Sequence, residues 1–403
     1  MTVEIRVPAE SELPAFFEQL SRVFSGRPFD PERLARNTSL TELDRTLVAV
    51  DGGRIVGTAG VFSLQMTTPG GADAATAGVT RVSVAPTHRR QGVLRALMRR
   101  QLDDIHERGE PLAALYASQA PIYGRFGYGV GTWHSRITIP RGRSGFRAAA
   151  RDGGVRILDA SDALEVLPDV HERIRRGQPG AVTRSEAYWK ARLADPPDPR
   201  QDRSPLWFLV HEGDQGADGF AVYQVQARWR QEDPDGTLFV VDLMAATPTA
   251  TAALWRFCLD VDLMSRVEAW SRSADDPVRH LLADQRAARS VVYDGIWVRL
   301  VDVGAALGCR TYAADGALTL EVRDEFCPWN AGRWRLEGGE CRRSDGDPDL
   351  VVDTADLAAA YLGGNRWAGL GAAGRVEERR PGALQRADAM FASSPAPWCP
   401  THF

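Results

Sequence analysis

The stretch Val79–Leu102, VTRVSVAPTHRRQGVLRALMRRQL, decides how this chain is read. An alternating apolar run stops at Pro86, and a loop of His88, Arg89, Arg90, Gln91 and Gly92 follows. Beyond it Val93, Leu94, Leu97, Met98, Leu102 and Ile105 recur at three- and four-residue spacing, which predicts a helix with one buried face. The first turn of a helix leaves backbone N–H groups without intrahelical partners, and these attract anions. Cations at that end are disfavoured by the helix dipole, by a few tenths to about 1 kcal/mol each. Two adjacent arginines there make sense if a phosphate neutralises them, and Gly92 lets the phosphate approach without a Cβ in the way. A cofactor carrying a pyrophosphate is the ligand this loop suits.

Around that stretch the first 140 residues alternate strand and helix signals. EIRVPAE reads as a short strand and SELPAFFEQLSRVF as a helix, with Ser11 a candidate cap. Asp51-Gly52-Gly53 reads as the turn of a hairpin, PLAALYAS as a buried strand, and TWHSRITIP as a further strand. RGRSGFRAAARDGG, at 141–154, has a linker's composition. A second unit repeats the order weakly through PLWFLVHEG, GFAVYQVQARW and TLFVVDLMAATP. TATAALWRFCLDVD, RVEAWSR and VRHLLADQRAARS then read as helical. From about 301 short strands, turns and helices follow. The tail SPAPWCPTHF, with Trp398 and Phe403 among prolines, reads as an extended segment anchored by aromatics. Trp329, Trp334, Trp367 and Trp398 suit packing better than a ligand cage.

Bulk properties narrow the classes. With 403 residues the chain is long enough for two or three domains. A net charge of −4 argues against a surface built for nucleic acid. No run reaches the ~20 apolar residues that span a bilayer, and no secretory signal opens the chain. Five cysteines, none in a CxxC and none at zinc-ligand spacing with histidine, suggest reduced thiols, no metal and a cytoplasmic protein.

VSVAPTHRRQGVLRALM resembles the cofactor-binding motif of the GNAT (GCN5-related N-acetyltransferase) superfamily, whose Arg/Gln-x-x-Gly-x-Gly/Ala loop holds the pyrophosphate of acetyl-CoA. Most members have Gly or Ala where this chain has Leu94, a departure similar to the Eis (enhanced intracellular survival) family. IYGRFGYG and TWHSRITIP resemble that family too. The resemblance implies an α/β (α+β) chain of tandem GNAT-like domains followed by a sterol-carrier-protein-like domain. The corresponding divisions are 1–145 (catalytic), 146–300 (second, degenerate) and 301–403, with a tail reaching the active site. The second domain has no RRxG loop after its matching strand, so it is expected to wall the substrate cavity and support assembly rather than bind acetyl-CoA.

The resemblance also implies site roles. Val82 and Val84 would meet the cofactor through their backbone, and Arg89, Arg90, Gln91, Gly92, Val93 and Leu94 would hold its pyrophosphate. Tyr123 would protonate the departing thiolate, with Tyr128 a weaker candidate for the same role. A free thiol near 8.5 and a phenol near 10 make that transfer uphill by roughly 2 kcal/mol, a bias nearby arginines would have to supply. Ser118 would either contact the cofactor or cap the next helix. No His or Glu stands beside the tyrosine motif, and in the family the chain's own terminal carboxylate, here Phe403, enters the active site. The implied reaction is acetyl transfer to a small-molecule amine such as a polyamine or an aminoglycoside, by a hexamer in the cytoplasm. Better-studied antibiotic modifiers carry an acidic residue before the final aromatic, where this chain has His402, so a strongly polycationic substrate is less favoured. A protein lysine is the runner-up substrate, and a non-catalytic acyl-CoA or lipid sensor is the rival outside the enzymes.

Overall fold

The computed structural model describes residues 3–26, 28–148, 154–194 and 202–403. They divide into two compact units: the described residues of 1–132, 296–394 and 402–403 form one, those of 133–295 and 395–401 the other.

The first unit begins with β1 (Glu4–Arg6), α1 (Leu13–Val23), α2 (Pro31–Ser39), β2 (Leu47–Asp51), β3 (Arg54–Thr67) and β4 (Asp73–Val84). It continues with α3 (Val93–Glu107), β5 (Leu112–Tyr116), α4 (Ala120–Tyr123) and β6 (Gly129–Val130). The 3-10 turn that leads into α1 is closed by Glu12, whose carboxylate accepts the Ala9 N–H at 2.8 Å, and α1 itself carries no side-chain cap. Ser11, the expected cap, sits inside the preceding 3-10 turn instead. The Asp51-Gly52-Gly53 hairpin forms as expected, Gly52 and Gly53 taking φ of 53° and 77°, the signs a tight two-residue turn requires. α3 buries Val93, Leu97, Met98, Leu102 and Ile105, while Leu94 stays half-buried.

β1 to β4 pair antiparallel in order, and α3 carries the chain across to β5, which lies parallel to β4. A bulge interrupts β4 opposite Thr58 and Gly60, with Arg81 at a φ of 55°. Such bulges bend and re-aim a strand. The β4–β5 register runs only from Thr76↔Leu112 to Gly78↔Ala114. Past that point the strands part, and the β4 edge from Val79 to Val84 has no partner strand on the β5 side.

In the second unit β7 (Trp133–Pro140) and β8 (Val155–Leu158) lead to α5 (Ala160–Arg175), α6 (Glu186–Leu193), β9 (Trp207–Gly213) and β10 (Gly216–Gln226). A ribbon of β11 (Trp229–Arg230) and β12 (Asp233–Pro234) precedes β13 (Gly236–Ala245), α7 (Pro248–Asp260), β14 (Met264–Ser273) and β15 (Arg289–Asp294). β16 (Ile296–Leu300) then returns to the first unit. The sheets, β1-β2-β3-β4-β5-β16-β6 and β8-β9-β10-β13-β14-β7-β15, share one topology.

Each sheet therefore receives one strand from the other half of the sequence. β7 buries Ile137 and Ile139 in the second unit's core, whereas Ile296, Val298 and Leu300 of β16 are fully buried in the first unit. The expected divisions at 145 and 300 thus do not follow the sheets, because alternation of apolar residues marks a strand without saying which sheet receives it. RVEAWSR, read as helical, is part of β14. Val267 and Ala269 point into the core while Trp270 is exposed, a two-residue period. VRHLLADQRAARS holds only one short helical turn, Val278–Leu281, and a 3-10 turn before β15 begins. Of the expected linker, 149–153 lies outside the described residues. Arg141–Arg143 is a 3-10 turn, and Phe146 bridges to Leu282.

The C-terminal segment adds a five-stranded sheet in the order Glu340–Arg343, Gly332–Glu337, Ala317–Arg323, Leu350–Asp353 and Val376–Glu378. The helices Thr354–Tyr361, Trp367–Ala372 and Ala383–Phe391 accompany it, with Tyr361, Trp367 and Phe391 fully or almost fully buried. Trp334 is buried too and Trp329 stacks on His106, so these tryptophans pack as expected.

The tail is held, not loose. Trp398 donates its backbone N–H to the Pro179 carbonyl and its indole N–H to the Ser271 carbonyl. The buried Arg184 donates to Thr401 Oγ1, the Pro400 carbonyl and Asp242. The five cysteines are free thiols. No described helix is long and apolar enough to cross a membrane.

Candidate active site

The parting of β4 from β5 opens a cavity of about 740 Å³ in the first unit. Val82 and Val84 line one side, and His88, Arg89, Arg90, Gly92, Val93 and Leu94 line the loop end. Ser118 and Tyr123 stand across from them. Nearly all the residues singled out in the sequence therefore share one space. Gln91 does not line it: its side-chain amide turns back and donates to the Thr87 carbonyl at 2.9 Å.

Local geometry explains the loop's shape. Arg90 takes a φ of 62° and Gly92 a φ of 84°, so two left-handed residues turn the chain into α3. Gly92 supplies no capping side chain, and the first helical bond runs from the Ala96 N–H to the Gly92 carbonyl. The N–H groups of Val93, Leu94 and Arg95 thus begin the helix without partners in it. A Cβ built at Gly92 meets no atom within 4 Å, so the cradle is open. His88 is bracketed, Nδ1 lying 2.8 Å from Thr87 Oγ1 and Nε2 donating to Asp51 Oδ2 at 3.1 Å. That pair ties the loop to the β2–β3 turn.

Tyr123 is buried, and burial pushes its phenol above the ordinary value. A hydrogen bond from Ser118 pulls it back down. The expected help from arginines is absent from the groups acting on it; Ser118 supplies the opposing influence. Ser118 does not cap α4: the capping position is Gln119, and no side-chain bond is made there.

Tyr128 is fully buried 6.0 Å from the Tyr123 ring, and its hydroxyl has no partner among the described residues. Beneath it lies Arg299, also fully buried, which donates to Asp324. Asp324 in turn accepts from the Cys327 N–H and from Asn330. A Cβ at Gly127, whose φ is 81°, would fall on Arg299 Nη1. The turn after Tyr123 therefore rests on a buried arginine and requires glycine.

Phe403 is not among the residues lining the cavity. Its ring lies edge-on to Tyr116 at 5.5 Å and covers Gly78, where an added Cβ would come within 3.2 Å of it. The end of the chain is thus brought to the last β4–β5 pair, where the strands begin to part. Val23, Phe24, Ser83, Arg95, Ile122, Arg125 and Phe126 also line the cavity and were not singled out from sequence. Arg125 and Phe126 sit in the quoted tyrosine motif and were legible there. Phe24 looked like one more apolar position at the end of α1.

Comparison with known proteins fits this geometry. Acetyltransferase (GNAT) domain models match residues 4–131 and 180–300, and a sterol carrier protein domain model matches 303–400. The chain is 44% identical to an uncharacterized N-acetyltransferase of Streptomyces avermitilis, with all of both chains covered. It is 35% identical to the N-acetyltransferase Eis of Mycobacterium tuberculosis over 98% of each. Among solved structures, Eis1 of Mycobacterium abscessus is 36% identical with a TM-score of 0.90, all of both chains being covered. The chain belongs to the Eis-like family of GNAT N-acetyltransferases. Its fold is accordingly two GNAT domains and a sterol-carrier-like domain. The GNAT acetyltransferase fold of this Eis-like chain implies use of an acyl-CoA.

Proposed function

We propose that the chain transfers acetyl from acetyl-CoA to a primary amine of a small polyamine or amino sugar, as a cytoplasmic hexamer. The observation that carries this reading is the convergence, in one cavity, of an unpaired strand edge, an open arginine-flanked helix start and a buried tyrosine. In this reading Arg89 and Arg90 neutralise the pyrophosphate beside the N–H groups of Gly92, Val93 and Leu94. Gln91 contributes only its backbone. The free edge at Val82 and Val84 aligns the thioester, and Ser118 orients Tyr123, which protonates the departing thiolate. The carboxylate of Phe403 orients the incoming ammonium. His402, in place of an acidic residue, favours amines of low charge over strongly polycationic antibiotics.

A panel of amines assayed for CoA release tests the reaction. Turnover of small amines is expected, and tight acetyl-CoA binding without turnover on any amine would instead identify an acyl-CoA sensor. For the cradle, Gly92→Val places a branched side chain in the open space and strains a φ of 84°. Acetyl-CoA affinity should fall at least ~10-fold, about 1.4 kcal/mol, with melting measured alongside to separate strain from occlusion. Unchanged affinity by calorimetry would remove the loop from the site.

A further inference from the structure

We propose that Arg95 and Arg125 form a second phosphate site, which takes the 3′-phosphate on the ribose of CoA and makes the protein select CoA over its dephospho form. This rests on the acetyl-CoA reading above, in which the arginine loop holds only the pyrophosphate.

Arg89, Arg90, Arg95 and Arg125 line the cavity between β4 and β5, and that lining contains no carboxylate side chain. None of these arginines is ion-paired to a described residue. Further along α3, by contrast, Arg99 and Arg100 face Asp103 and Asp104 one turn on, at 3.9 Å and 2.7 Å. The sequence explains the difference. The positions three and four residues from Arg95 hold Gln91, Gly92, Met98 and Arg99, so no acidic side chain reaches it along the helix. Arg125 stands in the 3-10 turn directly after Tyr123 and reaches, among the described residues, only the Pro121 carbonyl, at 3.5 Å.

The two arginines share a place of their own. The Arg95 guanidinium lies 5.6 Å from the centroid of the Phe326 ring, and that of Arg125 lies 6.0 Å from the centroid of Phe126. These two rings meet edge-on with centroids 5.0 Å apart, and both are buried. The ring pair is thus a fixed apolar support for two arginines that are themselves exposed, with their forked N–H donors free to meet a phosphate. Charge decides which phosphate. The pyrophosphate linkage carries about one negative charge per phosphorus, and a phosphate monoester about 1.5 to 2 near neutral pH. Four guanidiniums therefore match the whole of CoA, whereas Arg89, Arg90 and the start of α3 suffice for its pyrophosphate. One ribose bears both groups, so a cofactor held at Arg89 and Arg90 presents its 3′-phosphate only a few bonds away.

The site acts on binding alone. The 3′-phosphate is at the far end of the cofactor from the thioester, so its contacts are the same before and during acetyl transfer. Interactions of that kind lower the KM for acetyl-CoA and leave kcat where it is. Because both arginines are exposed, their pull on the phosphate also weakens as salt is raised.

Calorimetric titration with CoA and with dephospho-CoA tests this directly. The wild-type protein should bind CoA at least ~10-fold more tightly, the scale of a hydrogen-bonded charge pair. Arg95→Gln and Arg125→Gln remove charge from exposed positions and should leave the melting temperature unchanged. Each should weaken CoA without weakening dephospho-CoA, and the double variant should bind the two alike. Arg90→Gln, at the pyrophosphate, should weaken both cofactors by the same factor. Equal wild-type affinity for CoA and dephospho-CoA would overturn the proposal while the acetyl-CoA reading stands. So would a double variant that still prefers CoA, or Arg95→Gln and Arg125→Gln proteins that lose both cofactors equally. Binding of neither cofactor by the wild-type protein would overturn the acetyl-CoA reading itself, and this site with it.

Discussion

The two units carry the same strand order and the same helical crossover, and the first presents an open cavity of about 740 Å³ where its parallel strands part. In the first, the eight residues from Ala85 to Gly92 separate β4 from α3 and leave the helix start uncapped. In the second, only Ala246 and Thr247 separate β13 from α7. Thr247 accepts the Ala250 N–H and Pro248 has no N–H to offer, so that helix start offers an anion fewer N–H groups than the start of α3 does. The β13–β14 register also ends, at Val240↔Ala269, and the strands part as β4 and β5 do. There, however, Arg272 donates to the Leu243 carbonyl at 2.6 Å, and the Trp398 indole donates to Ser271 at 2.7 Å. Trp398 lies against the Arg272 guanidinium and the core residues Met244 and Phe220. The opening that the first unit keeps free is filled in the second by the chain's own tail. Topology creates the opening, and side chains decide what occupies it.

The sharpest way to break this contrast is Tyr123→Phe. Loss of a general acid costs ~10²–10⁴-fold in turnover, with acetyl-CoA affinity retained by calorimetry. If Tyr128→Phe causes that loss and Tyr123→Phe does not, the acid is the other ring. Trp398→Ala comes next. It empties the second unit's opening and should destabilise the protein by about 3 kcal/mol in denaturant unfolding. Acetyl-CoA affinity should hold, since the first unit's cavity is untouched. Binding of a second equivalent of acetyl-CoA by this variant would show that the tail alone had closed a working site. The smallest effect is expected of Thr247→Ala, which removes the α7 cap for about 1 kcal/mol. The freed N–H should gain no acetyl-CoA binding, because no arginine loop stands beside it.

How much of this was legible varies with the distance over which each feature is decided. The loop from His88 to Gly92, the buried face of α3 and the Gly52-Gly53 turn are local, and they were readable because residue type and spacing within a few positions impose them. The Arg81 bulge was not, since a left-handed arginine in mid-strand is stabilised by partners far off in sequence. Its guanidinium donates to Thr41 and to the Asn37 carbonyl, and burial lowers it to about 10. β14 was misread because arginine and glutamate among its apolar residues suit a helix surface as well as a strand's outer face. Ser118 had two open readings; the structure gives α4 no side-chain cap and joins Ser118 to Tyr123, a contact neither reading named.

The sequence by itself determined the chemistry: an arginine loop before an uncapped helix, a tyrosine motif, and a tail of prolines and aromatics too apolar for solvent. Those are statements about residue types and short spacings, which the backbone honours wherever the segment ends up. Only the tertiary structure decided that β7 and β16 change sheets, that Arg299 lies under Gly127, and that the tail fills the second opening. It also decided that His402 stacks on Tyr116. Each of these joins residues tens to hundreds of positions apart, and such pairings are selected by which buried surfaces fit together rather than by any local preference of the chain.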